Sequence, residues 1–534
     1  MKFSKDRVNL HKNSSNLISR NLLKYPLKSA IITIENVGLE VACVSFGLYG
    51  RRMIKSDETE VTVENVVAIL NKALPYHWEN RSEIQYLWYY YRGLQPILNR
   101  EKQVRPEICN KIVENRANEI VSFKSGYLMG EPLQYVSRGN GENISDAINQ
   151  LNEFVFAEEK PAKDKELADW FHICGTSFRM VLPDEDVGED DDSPFEIYTL
   201  DPRNTFVVYN NGLGNKPLLG VKYVVDDNGI VHYSCYSDHE YFEIVESQII
   251  KVEPHILGDI PIIEYPLNLA RIGAFELVIP LLDAINLTDS NRQDGVEQFI
   301  QALMLFHNVD ISSDDYDKLR EEGAIKFRDI DPQLKAEVSY LTSTLNQGET
   351  QTLVDHMYQT VLTICGMPNR NGGSSTSDTG SAVIMRDGWS AAEARAKDSE
   401  LMFKKSERTF LKLILNICKT LKGMDLKVCN IEIRFTRRNY ENILQKAQVL
   451  DLMLKNTKIH PRLAFEHCGL FVDSDLAYTL SAEYAEEQER KAQELLAKQN
   501  EVKEGNSNDP DNNAGNGAAD GNAAQAREQS GSTD

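Results

Sequence analysis

The chain has 534 residues, of which 41% are hydrophobic and 26% charged, and its formal net charge is −23 at pH 7. That length allows a sizeable core and more than one domain, and the composition is ordinary for a soluble globular protein. A surplus of acid this large repels nucleic acid and anionic lipid over the surface as a whole, which argues against a protein that grips DNA through a basic patch.

The first 52 residues depart from this balance, with nine Lys/Arg against three Asp/Glu. They read as a basic arm or, preferably, as an upstream extension or even a misplaced start, with Met53 as the true beginning. The apolar stretch 30–50 is broken by Glu35, Asn36 and Glu40, so it makes a poor signal core and a poor membrane span. The eight cysteines are scattered, without a CxxC pair or a Cys/His cluster, and read as reduced, mostly buried thiols of a cytosolic protein.

From Glu58 helical patterns follow one another. The stretch "SEIQYLWYYYRGLQPILNR" (82–100) carries an apolar stripe at Ile84, Leu87, Trp88 and Tyr91. Clustered Tyr and Trp can stack on bases, but such a stripe is more simply core or subunit interface. A second helix is expected over 108–126 through Ile112, Val113, Ala117, Ile120 and Val121, with Gly130 and Pro132 turning into a strand. The acidic loop "DEDVGEDDD" (184–192) lacks calcium-loop spacing and reads as solvated surface. Residues 195–265 alternate β-branched and aromatic runs with turns such as Asn211-Gly212, and predict β structure.

A long helix is expected over 275–305, apolar at both ends and polar on every face in its middle, "TDSNRQDG" (288–295). A helix polar all round bridges solvent or lies beside something wet. A compact stretch, 306–345, should hold strands and the acidic short helix "SSDDYDKLREEG". A helix from about Gln347 to Cys365 then meets Pro368, after which twelve residues, 369–380, carry no apolar side chain. A strong helix, Ser390–Leu421, follows with Phe403, Phe410, Ile414, Ile417 and Leu421 on one stripe. "NIEIRFTRR" (430–438) reads as a strand and 439–494 as helical with a turn at 458–461. The last forty residues lack apolar bulk and should be disordered.

No enzyme signature occurs: no GxxxxGK[ST], GxSxG, HExxH or GxGxxG opening a helix. No catalytic residue, cofactor or metal ligand set is therefore expected. Asp190-Asp191-Asp192 and Asp314-Asp315 are the material for a two-metal nuclease reading, but nothing near them has the spacing such a site needs. The Gly-Ser loop is no phosphate cradle, since no Lys follows at the right distance. Long polar loops between packed helices tend to be functional.

Several stretches, taken in order, resemble the portal (head-to-tail connector) proteins of tailed bacteriophages, of the type found in long-tailed phages of Gram-positive hosts. They are "YYRGLQPILNR" (90–100), "FKSGYLMGEPLQY" (123–135), "LDPRNTFVVYNN" (200–211) with "PLLGVKYV", "LGDIPIIEYPLN" (257–268), and "GAFELVIPLLDAINLTDSNRQDGVEQFIQALMLF" (273–306). "GMPNRNGG" with "TGSAVIMR" is similar to that family's tunnel-loop region. The resemblance implies an α+β, mainly α portal fold with wing, stem, clip and crown, assembling into a ring around a central channel. Its parts would be the wing, 53–270 with 389–438; stem helices, 271–305 and 346–368; clip, 306–345; tunnel loop, 369–388; crown, 439–495; and an acidic disordered tail, 496–534.

The resemblance further implies a homo-oligomer, twelvefold in the virion, through which double-stranded DNA is packaged and ejected without sequence specificity. The partners would be the terminase large subunit, a head–tail adaptor, and scaffolding and major capsid proteins, with no membrane. Helices packed 8–10 Å apart put about twelve of them on a circle of axis radius ~17–19 Å. Less a helix half-width of ~5 Å, the opening is slightly wider than a duplex. Asp289, Arg292, Asp294 and Glu297, with Asp283, are the candidate channel-lining stem charges. Asn369, Arg370, Asn371, Gly372, Gly373, Ser374, Ser375, Thr376, Ser377 and Thr379 are the candidate DNA-facing loop, able to touch phosphates through uncharged hydrogen bonds. Asp314, Asp315, Lys318, Arg320 and Glu321 are the candidate partner-docking residues of the clip. The competing readings are another phage head protein, such as an adaptor, and the metal-dependent nuclease.

Overall fold

The computed structural model describes residues 50–138, 142–184, 193–300, 303–310, 328–330, 335, 337–341, 347–369, 388–437, 443–471 and 474–505. The fold divides into two units, Met1–Tyr440 and Glu441–Asp534.

In the first unit the β-rich stretch forms two antiparallel layers. The larger sheet runs β1 (Ile54–Ser56), β5 (Thr205–Asn210), β6 (Pro217–Val225), β7 (Val231–Tyr236), β8 (Glu240–Val245), β9 (Gln248–Pro254), with β1 parallel to β5 and the rest antiparallel. The smaller sheet runs β10 (Ile262–Pro266), β3 (Thr176–Pro183), β4 (Phe195–Leu200). Period-2 alternation gives the larger sheet two apolar faces. On one, Phe206, Val208, Leu219, Val221, Phe242 and Ile244 pack under Val66, Ile69, Leu70 and Ala73 of helix α1 (Val66–Tyr91). On the other, Val207 meets Phe178, Met180 and Ile262 of the smaller sheet. The apolar stripe Ile84, Leu87 and Tyr90 at the far end of α1 is core.

Helix α2 spans Arg116–Leu128, eight residues later than the pattern from 108 suggested. The Asn115 side chain accepts the Asn118 amide and starts the helix there. Residues 110–114 are extended instead. Strand β2 (Gln134–Ser137), helix α3 (Glu142–Ala157) and helix α4 (Lys160–Cys174) follow. The long helix is shorter than its pattern: α5 is Ile279–Ile300, and Leu303–His307 leave it as strand β11, pairing antiparallel with β14 (Glu337–Leu341). Val309–Asp310 (β12) pairs with Arg328–Asp329 (β13). Helix α6 is Gln347–Cys365, and helix α7 is Trp389–Lys422. Phe403, Phe410, Ile414 and Ile417 of α7 are buried in the main core, whereas Leu421 is 44% exposed and lies off the stripe. Strand β15 (Ile431–Arg434) pairs antiparallel with β2.

The second unit holds α8 (Ile443–Leu454), α9 (Pro461–Cys468) and α10 (Ser474–Gly505), the last running ten residues past the expected onset of the tail. His460 caps α9 by accepting the Arg462 amide, and Phe465 stacks on Phe471. No helix among the described residues is long and apolar enough to cross a membrane.

Candidate functional site

One side of the polar middle of α5 is a docking face, while Asn291 and Gln293 on the rest of it are exposed. Asn286, Ser290 and Asp294 stand four residues apart and so share one side of the helix. Asn286 accepts the amide of Glu114 at 2.8 Å, Ser290 that of Ile112 at 2.9 Å and Asp294 that of Asn110 at 2.7 Å. Two extended residues advance ~6.6 Å and four helical residues ~6 Å, so an extended chain running antiparallel to the helix meets a side chain at every second amide. Asn286 also donates to Gln95, and Arg100 to Asn291 at 2.5 Å.

Of the expected wall charges, this geometry buries Asp294 and half-buries Asp283. Asp294 is 3% exposed, and its carboxylate is held by Arg100 at 2.9 Å and Lys102 at 3.0 Å as well as by Asn110. Burial pushes its pKa up, but the bonds from Asn110 and Lys102 outweigh this and hold it at about 2. Asp283 is half-buried and accepts the Tyr90 hydroxyl at 2.8 Å, burial raising its carboxyl above the ordinary value. Asp294 faces packed protein. A pattern of polar residues does not distinguish water from backbone amides as the neighbour. The repeated spacing Asn286, Ser290, Asp294 was the available signal. Asp289, Arg292 and Glu297 remain partly exposed. Arg292 reaches Asp289 at 3.4 Å and, across to α6, Gln351 at 2.9 Å; Glu297 accepts from Asn110 at 3.0 Å.

Helices α5 and α6 pack through Leu282, Ile285, Val354, Val361 and Leu362 in one core with α1 and α2. At the C-terminus of α6, Gly366 takes φ +65°, its amide returning to Thr363 and that of Met367 to Leu362, which closes the helix. Met367 and Pro368 are buried, so the chain leaves the helix from a fixed point. It comes back to the same point: a Cβ on Gly388 would lie 3.7 Å from the Pro368 Cα. Trp389 then packs against Phe123 and Tyr127 of α2. Of the candidate loop residues only Asn369 is described. Arg370, Asn371, Gly372, Gly373, Ser374, Ser375, Thr376, Ser377 and Thr379 lie outside the described residues, as do Asp314, Asp315, Lys318, Arg320 and Glu321 and the Asp190-Asp191-Asp192 run.

Beneath α7 lies a buried charge cluster that the pattern analysis missed. Arg179 of β3 pairs with Asp164 of α4 at 2.5 Å and with Glu407 of α7 at 3.5 Å, while Lys160 pairs with Asp164 at 2.7 Å and Glu407 at 2.8 Å. The Tyr135 and Tyr265 hydroxyls donate to Glu407 at 2.6 and 2.7 Å. Two positive and two negative groups thus close on themselves, which fixes the core beneath α7 and offers no open position to a substrate. No group of His, Cys, Asp and Glu that could hold a metal ion occurs among the described residues.

The family profile of the SPP1 Gp6-like phage portal proteins matches residues 70–500. The chain belongs to that family. It is thus a phage portal protein. Solved structures similar to it include a chain from the neck of an empty gene transfer agent particle, at 11% identity and TM-score 0.38, covering 67% of this portal protein and 90% of that chain. Another is a chain from the virion of a native gene transfer agent particle, at 10% identity, TM-score 0.38 and the same coverages. The comparison with curated proteins finds no match.

Proposed function

We propose that this portal protein works as a closed ring of identical subunits, twelve in the virion, at one capsid vertex, and that double-stranded DNA passes along the axis during packaging and ejection. The observation that carries the reading is the family match over residues 70–500, which takes in the α5–α6 pair, the loop and α7 together. In this reading 271–305 and 346–368 are the stem, 306–345 the clip, 53–270 with 389–438 the wing, 439–495 the crown and 369–388 the tunnel loop.

Among the stem charges, Asp289, Arg292 and Glu297 keep the exposure a wall group needs, and Asp294 is set aside. A wall of acid and weakly available base does not hold a polyanion tightly, which suits a conduit, because tight phosphate contacts would stall transport. The loop, tethered at both ends to one buried point, serves as the narrowest, deformable collar. Its Asn, Ser and Thr side chains and the Gly372-Gly373 pair touch phosphates without adding charge. The clip docks the terminase large subunit during packaging and a head–tail adaptor afterwards, and scaffolding and major capsid proteins surround the ring during assembly.

Electron microscopy of the purified protein tests this directly. Rings with a central perforation are expected; compact monomers, or particles without a hole, would overturn the reading.

A further inference from the structure

Beside the C-terminus of α6 a small open recess is lined by Lys124, Tyr127, His172, Gly366, Arg395 and Ser399, among others. Its two cations come from different helices. Lys124 stands on α2, and Arg395 stands on α7 with its side chain laid across the α6 terminus, so that a Cβ on Gly366 would lie 2.6 Å from the Arg395 Cγ. Among the described residues, no acid pairs with either cation. The acids nearest in sequence are engaged elsewhere. Glu119 is held by Arg116 and Tyr358, and Glu393 and Glu400 by Arg437, with Tyr127 also donating to Glu393. Asp398, one turn from Arg395, forms no ion pair with it. His172 adds no charge, since burial holds its pKa at about 3. Burial lowers the pKa of Lys124, Cys365 opposes this, and Arg395 lowers it further.

Lys124 is half-buried and Arg395 exposed, and two like charges lining one recess repel each other until an anion joins them. The chain is rich in suitable groups, with 81 Asp and Glu against 58 Lys and Arg. A duplex carries its phosphates on a stiff convex surface and cannot lower one into a recess, whereas a carboxylate on a flexible side chain can. We propose that Lys124 and Arg395 form a receptor for an Asp or Glu carboxylate of a second copy of this chain, clasping neighbouring subunits at the foot of the loop between α6 and α7. The clasp rests on the ring reading above. It ties the point from which the loop departs to the adjacent subunit, so that the loops around the ring start from a common frame.

The test uses full-length protein assembled from a mixture of unlabelled and ¹⁵N-labelled subunits, treated with a zero-length carbodiimide and read by mass spectrometry. The expected product is an amide between Lys124 and an Asp- or Glu-containing peptide, present as mixed-isotope pairs. Intact rings in which Lys124 is unmodified, or is joined only within single-isotope pairs, would overturn the clasp and leave the ring reading standing. A monomeric wild type would overturn both. In a second arm, Lys124→Met combined with Arg395→Met keeps the apolar stems and removes the charges. Rings should then dissociate at protein concentrations about tenfold higher, with a flatter dependence on NaCl. If the double variant instead keeps its ring stability and loses affinity for a short DNA duplex, the recess serves a phosphodiester and the clasp is wrong.

Discussion

The backbone amide of Asn110 and the carboxylate of Asp294 lie 2.7 Å apart, and the same carboxylate holds Arg100 and Lys102. One side chain of α5 therefore fastens an arm, residues 100–110, that has little regular structure of its own. Asp294→Ala leaves two cations and an amide without their acceptor. The expected cost is roughly 2–4 kcal/mol. Hydrogen exchange at the amides of Asn110, Ile112 and Glu114 should speed up while the buried amides of α7 stay protected. Unchanged exchange in the arm would mean that Asn286 and Ser290 suffice to hold it.

Glu407 makes the core beneath α7 sensitive to acid. Burial raises its pKa, but Lys160 and Arg179 outweigh burial and bring it from an ordinary 4.5 to about 2. A carboxylate depressed in this way contributes stability that is complete above pH 4.5 and is lost as the pH falls from there to about 2. Thermal melts of the wild type should lose midpoint over that window. Glu407→Gln, which leaves two buried cations to share Asp164 alone, should cost roughly 3–5 kcal/mol at neutral pH and flatten the acid slope. A variant whose melts track the wild type between pH 4.5 and 2 would show that other carboxylates set the acid limb.

Some of this architecture is legible in the amino-acid order and some is not. Helix α6 was expected from about Gln347 to Cys365 and occupies those residues, because an apolar stripe there ends at Gly366 and Pro368. The start of α2 was misjudged because Ile112 and Val113 extend its apolar period backwards, while the 110–114 amides find better acceptors on α5 than a helix would give them. Leu303–His307 continued the apolar run of α5, and its pairing with Glu337–Leu341 depends on a segment more than thirty residues away. Arg179 in the middle of an apolar strand does announce a buried partner. Nothing local says that the partner is Glu407, 228 positions further on.

Gly366 should resist substitution. Its φ of +65° disfavours any Cβ, and the one that alanine brings would meet the Arg395 Cγ at 2.6 Å. Gly366→Ala is expected to cost about 1–2 kcal/mol by thermal or urea unfolding. Gly126, inside α2 with nothing within 4 Å of its would-be Cβ, is the contrasting case, and Gly126→Ala should gain about 0.5–1 kcal/mol. Equal responses at the two sites would mean that the α6 terminus is not closed by the left-handed glycine.

The loop between α6 and α7 offers the sharpest separation of assembly from transport. Its ends are already together, Gly388 beside Pro368, so removing Gly372–Thr379 leaves a shorter chain that still closes without moving either helix. Changing loop length alters closure entropy by only ~0.6 kcal/mol per doubling, far less than the helix packing around it supplies. The deletion should therefore fold, and should assemble as the wild type does in electron micrographs. If the loop is the collar proposed above, what should change is the length of DNA packaged, or its retention after packaging. Particles carrying the deletion that fill and hold DNA as the wild type does would remove the loop from the transport pathway, and the role of the narrowest constriction would pass to the exposed charges of α5.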